Sequence, residues 1–239
     1  MKVLIDREQL RRRGTLSHVA SLGGLAIILG AVVLSMSRPD WATLTVILIF
    51  VGFAISTVGI YFANRWVKKP RPEDALALAL KGLGDACRIY HYLLPAEHVL
   101  LTPSGVVVME TVNLEGGFIY RGGRWKQQMT LGRTLRFFVE ESLGDPTARA
   151  QADAQRMGQL LDGHLPGDGP PVPVTAVVVF VHPNAEVVAD SPPVPVCQPA
   201  QLRKRIPSHL PKLPQARFEQ VRAVLDESAG ISRLAGSTA

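Results

Sequence analysis

Two uninterrupted apolar runs dominate the pattern of hydrophobic and polar positions. No Asp, Glu, Lys or Arg occurs from Leu16 to Met36, and none from Trp41 to Asn64. At ~1.5 Å per residue a helix over either run spans a ~30 Å hydrocarbon core. Only Ser37-Arg38-Pro39-Asp40 separates them. Pro39 and its charged neighbours break the helix there, so the pattern predicts a transmembrane hairpin. A cleaved signal sequence fits poorly, because a second run follows at once and no small-x-small site precedes the loop.

Beyond residue 72 the pattern changes to that of an α/β domain. Leu76, Leu80, Leu83, Cys87, Tyr90 and Leu94 recur near the helical period and predict a helix over 73–94. Residues 97–112, EHVLLTPSGVVVMETV, place two apolar runs around a Thr-Pro-Ser-Gly turn. They predict a β-hairpin with an acid, Glu97 or Glu110, at the outer end of each strand. A second hairpin is predicted over 118–127, turning at Arg121-Gly122-Gly123. Residues 131–143 fit neither period. Pro146 opens a helix to about Leu165, with Ala150, Ala154, Met157, Leu160 and Leu161 on its apolar side. Val174 to Val181 reads as a buried strand. A short strand (194–197), a short helix (201–206) and a terminal helix (215–226) complete the reading. The expected fold class is a two-helix transmembrane hairpin plus a cytoplasmic α/β domain, a mixed sheet flanked by helices. The expected divisions are a basic N-terminus (1–15), helices over 16–36 and 41–64, a basic linker (65–72), the α/β domain (73–212), and a C-terminal helix with a loose tail (213–239).

Charge fixes the expected orientation. Lys2, Arg7, Arg11, Arg12 and Arg13 precede the first run, and Arg65, Lys68, Lys69 and Arg71 follow the second. Positive flanks stay in the cytoplasm, which puts both termini and the domain there. The net charge of +6 lies wholly within residues 1–69, and residues 70–239 balance to zero. The pI of 9.6 therefore reports membrane topology rather than a nucleic-acid-binding surface. The lipid bilayer is the expected partner. Ala26/Gly30 and Gly52/Ser56 offer small-residue faces for packing within the hairpin or for homo-oligomers. Cys87 and Cys197 are the only cysteines, and no Cys/His cluster has zinc spacing.

The hairpin at 97–112 carries the candidate chemistry. With its two acids, its Pro-x-Gly turn and the Glu-x-x run after it, it resembles the NERD (nuclease-related) domain, a branch of the PD-(D/E)xK nuclease superfamily. Gly116-Gly117, the Phe-Ile-Tyr strand, Trp125, Pro146 followed by Gln151, and Val174–Val181 before His182-Pro183 extend the likeness in order. The resemblance implies a restriction-endonuclease-like sheet and a Mg²⁺ site. Glu97 matches the family's metal-binding aspartate, His98 the histidine after it, and Glu110 the acid of Glu-x-Lys. Glu73 matches a helix glutamate that reaches the metal. Gln151, Arg124 and His98 become candidates for nucleic-acid contact. Val112 occupies the lysine position, and Lys126 or Arg124 on the next hairpin is the candidate substitute. The expectation is a degenerate nuclease fold serving as a binding or scaffold module at the cytoplasmic face. The alternative is an active Mg²⁺-dependent nuclease that uses Glu97 and Glu110 on DNA or RNA.

Overall fold

The computed structural model describes residues 1–66, 70–128, 142–167, 169–206 and 210–231. Its contacts divide the chain into two compact units. The unclassified stretch 131–143 lies mostly outside the described residues, as does the 67–69 part of the basic linker.

One unit holds the two apolar helices. Helix α1 (Arg7–Ser37) and helix α2 (Ala42–Trp66) flank a single 3₁₀ turn, Pro39–Trp41. Both are long and apolar enough to cross a membrane, and only 11% of each apolar window is buried. Helix α1 begins well before Leu16, so Arg7, Arg11 and Arg12 ride on the helix rather than ahead of it. The small residues that bring the helices together are Ser21, Gly24, Gly52, Ser56 and Gly59. A Cβ at Gly24 would overlap the Ser56 amide and the Gly52 carbonyl, and one at Gly59 would overlap the Ser21 backbone. Ser56 Oγ donates to the Ser21 carbonyl at 3.4 Å. The expected Gly52/Ser56 face is therefore used on α2, but its counterpart on α1 is Ser21/Gly24. Ala26 is exposed, and a Cβ at Gly30 would meet nothing within 4 Å.

The other unit comprises residues 1–6, 72–128 and 143–239. Its main sheet has six strands in the order β1-β2-β3-β4-β7-β9. These are β1 (Lys2–Ile5), β2 (Arg88–His91), β3 (His98–Thr102), β4 (Gly105–Val112), β7 (Val174–Phe180) and β9 (Val196–Cys197). Strands β2, β3 and β4 form an antiparallel meander. Strand β7 then lies parallel to β4, over seven residue pairs from Val106↔Val174 to Val112↔Phe180. A parallel neighbour requires a crossover, and helix α4 (Pro146–His164) lies within it. Helix α3 (Pro72–Ala79) precedes the meander. The order helix, three strands, helix, strand is the mixed, helix-flanked α/β arrangement expected of a nuclease-like fold.

Each sheet face has its own core. Ile89, Leu100, Val107, Met109, Val177 and Val179 pack with Leu76 and Leu80 of α3 and Leu202 of helix α5 (Pro199–Arg205). On the opposite face Tyr90, Val99, Leu101, Val106 and Val108 pack with Met157 and Leu161 of α4. Phe218, Val221 and Leu225 of helix α6 (Gln215–Ser228) join that core, so the compact unit continues past residue 212. Asp226 ties α6 to the sheet, accepting from Arg88 Nη1 at 2.6 Å and from Tyr90 Oη at 2.8 Å. A second sheet, β6-β5-β8, is built from β5 (Gly116–Arg121), β6 (Arg124–Gln127) and β8 (Ala185–Ala189). The predicted turn between β5 and β6 is present, with Gly122 and Gly123 both at positive φ.

One sequence expectation is corrected, and two strands lie where no element was expected. The helix expected over 73–94 stops at Ala79; Gly82 turns the chain at φ +88° and β2 follows. Cys87, Ile89 and Tyr90 also fit a two-residue alternation, since Cys87 and Ile89 face one core and Tyr90 the other. Residues 2–5, within the expected basic N-terminus (1–15), form the sheet's edge strand, parallel to β2. Strand β8 adds an element that the sequence pattern did not indicate; it pairs parallel with β5.

Candidate functional site

The two acids of the first hairpin meet at one end of the sheet. Strands β3 and β4 pair with Val99 opposite Val108; Glu97 stands just before β3, and its negative charge acts on Glu110 at the end of β4. Alternation puts Glu97, Val99 and Leu101 on the face that α4 covers, together with Val106, Val108 and Glu110. The turn that sets this register is fixed by Thr102, whose hydroxyl donates to the Gly105 carbonyl at 3.0 Å and accepts from the Ser104 amide at 3.2 Å.

Helix α4 brings a cation to these acids. Asp145 caps the helix by accepting from the Ala148 amide at 3.0 Å, and Pro146 takes the first turn, where no amide donor is needed. Thr147 Oγ1 donates to Asp145 at 2.6 Å, and Trp125 Nε1 donates to that hydroxyl at 3.3 Å. Burial opposes the charge on Asp145, but the bonds from Thr147 and Ala148 and the nearby Arg149 hold its carboxyl below the usual range. One residue beyond the cap bond, Arg149 Nε donates to Glu110 Oε1 at 2.6 Å, and its Nη1 donates to the Leu143 carbonyl at 3.1 Å. Asp153, one turn further on, is buried and pairs with Arg156.

Burial pushes the Glu110 carboxyl above its usual range. Arg149 pulls against that shift, while the negative charges of Glu97 and Asp153 reinforce it. Glu97, Glu110, Asp153 and Arg149 thus form one electrostatic cluster. The sequence reading had neither Arg149 nor Asp153. Their i, i+4 spacing on a helix predicted to flank the hairpin was the available signal.

The other candidates lie elsewhere. His98 is on the opposite face of β3 and fully buried; its Nδ1 is 2.9 Å from Nδ1 of His91. Glu73, also buried, accepts from Tyr92 Oη at 3.1 Å, and the Tyr92 ring stands edge-on to His98 with centroids 4.9 Å apart. Tyr92 sits at φ 60°, a backbone state that bulky residues rarely adopt. Gln151 is exposed on α4. Arg124 and Lys126 are exposed on β6, alternating with Trp125, whose ring packs on Tyr120 and Phe180. Neither cation is paired with Glu110; that position belongs to Arg149.

These residues do not fit a magnesium ion as they stand. Hard divalent cations require several free oxygen ligands, and Arg149 holds one oxygen of Glu110. Val112, which the resemblance sets at the lysine position, is packed among Leu114, Phe118, Ala150, Val178 and Phe180. Among the described residues no group of three or more His, Cys, Asp or Glu is placed to hold a metal ion.

Comparison with known proteins bears on the domain that carries this cluster. No curated protein matches the chain, and no solved structure does. Residues 71–181 match the family model described as the nuclease-related domain, NERD. That match runs from α3 to the end of β7 and so includes the acidic hairpin, the crossover helix and the parallel strand: residues 71–181 of this chain form a nuclease-related domain.

Proposed function

We propose that the chain is a membrane-anchored nuclease-related domain that binds or scaffolds at the cytoplasmic face rather than cutting nucleic acid. The observation that carries this reading is Val112. It stands where the family's cation would stand, and it is buried in an apolar cluster that a charged side chain could enter only at a cost of several kcal/mol. The anchoring half rests on the two apolar helices and their basic flanks. Strand pairing supports the same topology: β1 precedes both helices and β2 follows them, yet the two are hydrogen-bonded neighbours. That pairing requires an even number of crossings.

A second reading, an active Mg²⁺-dependent nuclease with Arg149 supplying the cation, is favoured by one observation, the shared face of Glu97 and Glu110. One assay separates the two. The full chain in non-ionic detergent is incubated with supercoiled plasmid and with single-stranded RNA, in Mg²⁺ or Mn²⁺, beside Glu110→Ala. The expected result is no cleavage by either protein. Cleavage by the wild type that disappears in Glu110→Ala establishes the second reading instead.

A further inference from the structure

We infer that Arg149 is the resident cation of this site, taking up the Glu110 oxygen that a divalent ion would need and so holding the site closed to metal. The inference rests on the non-cutting reading above and gives it a cause. Glu110 is largely buried, with 14% of its side chain exposed, and three negative charges converge on its surroundings: its own, that of Glu97 and that of Asp153. A buried cluster of like charges needs a counter-charge. The guanidinium supplies it through a 2.6 Å bond from Nε to Oε1.

The arginine is held in place independently of Glu110. Its Nη1 donates to the Leu143 carbonyl at 3.1 Å, so two acceptors on separate segments fix the plane of the guanidinium. Its backbone amide donates to the Asp145 carbonyl at 3.1 Å, within the capped first turn of α4. The cap therefore sets where the cation falls. A mobile surface arginine would exchange readily with a dication; one held at both ends of its guanidinium gives up two bonds to leave.

The second acid of the cluster shows the same arrangement. Asp153 is paired with Arg156, a residue on its own helix. Two of the three carboxylates are thus neutralised from α4. The charge that a nuclease of this fold leaves for a metal is here supplied by the chain itself.

The test is a gain of metal binding, read by Mn²⁺ paramagnetic resonance and by thermal unfolding of the full chain in detergent. Wild type is expected to bind no Mn²⁺ at millimolar concentration, and added Mn²⁺ should leave its Tm unchanged. Arg149→Ala and Arg149→Gln are expected to bind Mn²⁺ at least about tenfold more tightly, because a unit positive charge beside the site is gone. Their Tm should rise with Mn²⁺, since a ligand of the folded state stabilises it. Arg149→Lys should stay closed, and adding Glu110→Gln to Arg149→Ala should abolish the gain. Wild type binding Mn²⁺ as tightly as Arg149→Ala overturns the inference, as does the absence of any gain in both neutral variants when their circular dichroism matches wild type. Neither result depends on cleavage, so failure here and failure of the non-cutting reading are told apart.

Discussion

Acidification from pH 7.5 to 5.5 is expected to destabilise the α/β unit by about 3 kcal/mol, through one pair of side chains. His91 and His98 are completely buried and face each other Nδ1 to Nδ1 at 2.9 Å, so one ring donates and the other accepts. Neither Nε2 has a partner among the described residues. Burial drives both imidazoles down to about 3, and in His91 the neighbouring ring adds to the shift. Both rings are therefore neutral in the folded state throughout this range, whereas the unfolded chain protonates them near 6.5. The unfolded state binds more protons below that value, so stability is full above it and falls as pH drops. At pH 5.5 each ring contributes about 1.4 kcal/mol of loss, and any folded pKa below ~4.5 yields nearly the same figure. Glu110, with its raised pKa, works in the opposite sense and is neutralised as a variable by Glu110→Gln. The assay is urea unfolding of that variant in non-ionic detergent, followed by near-ultraviolet circular dichroism at several pH values. His91→Leu/His98→Leu should lose most of the pH dependence, about 1.8 fewer protons being taken up on unfolding at pH 5.5. An unchanged dependence in the double variant refutes the reasoning.

Two further perturbations probe each unit separately. Asp226→Ala leaves Arg88 and Tyr90 Oη without their acceptor and is expected to cost about 2–3 kcal/mol, whereas Asp226→Asn, which keeps an acceptor for Tyr90, should cost less; denaturant midpoints decide. Gly59→Leu forces a side chain into the Ser21 backbone, an overpacking of about 1–3 kcal/mol, and should sharply lower disulfide yield between Ser21→Cys and Ser56→Cys. Gly30→Leu, at an open position, should leave that yield unchanged.

The legible parts of this chain are those written in local chemistry. The Thr102–Gly105 turn and the alternation around it specify the first hairpin, and with it the approach of Glu97 to Glu110. The Gly122-Gly123 turn and the helix start at Pro146 were equally readable, since each residue type suits its backbone state. What escaped was set by distant partners. Strand β2 has only four residues, and its apolar spacing fits a helix as well as a strand until the edge of β3 claims its backbone. Lys2 to Ile5 become a strand only because β2 offers them a parallel edge. His98 read as a site residue because it follows Glu97, but alternation turns it to the other face, toward His91. Arg149 reaches Glu110 because α4 crosses the sheet at one height, and no local pattern encodes a crossing.

The edge strand β1 also makes completion of the sheet depend on how the two apolar helices between β1 and β2 are placed. Residues 2–5 leave the ribosome before both apolar helices, and their partners at 88–91 emerge only after those helices have been made. On the membrane reading, a hairpin that fails to insert, or inserts with its ends on opposite sides, leaves β1 and β2 unable to meet. The sheet can be completed only on a correctly threaded chain. A mis-threaded copy would retain the exposed backbone donors and acceptors of an unfinished edge, the kind of surface that promotes aggregation. On that reading, the four residues of β1 couple completion of the sheet to correct threading of the helices.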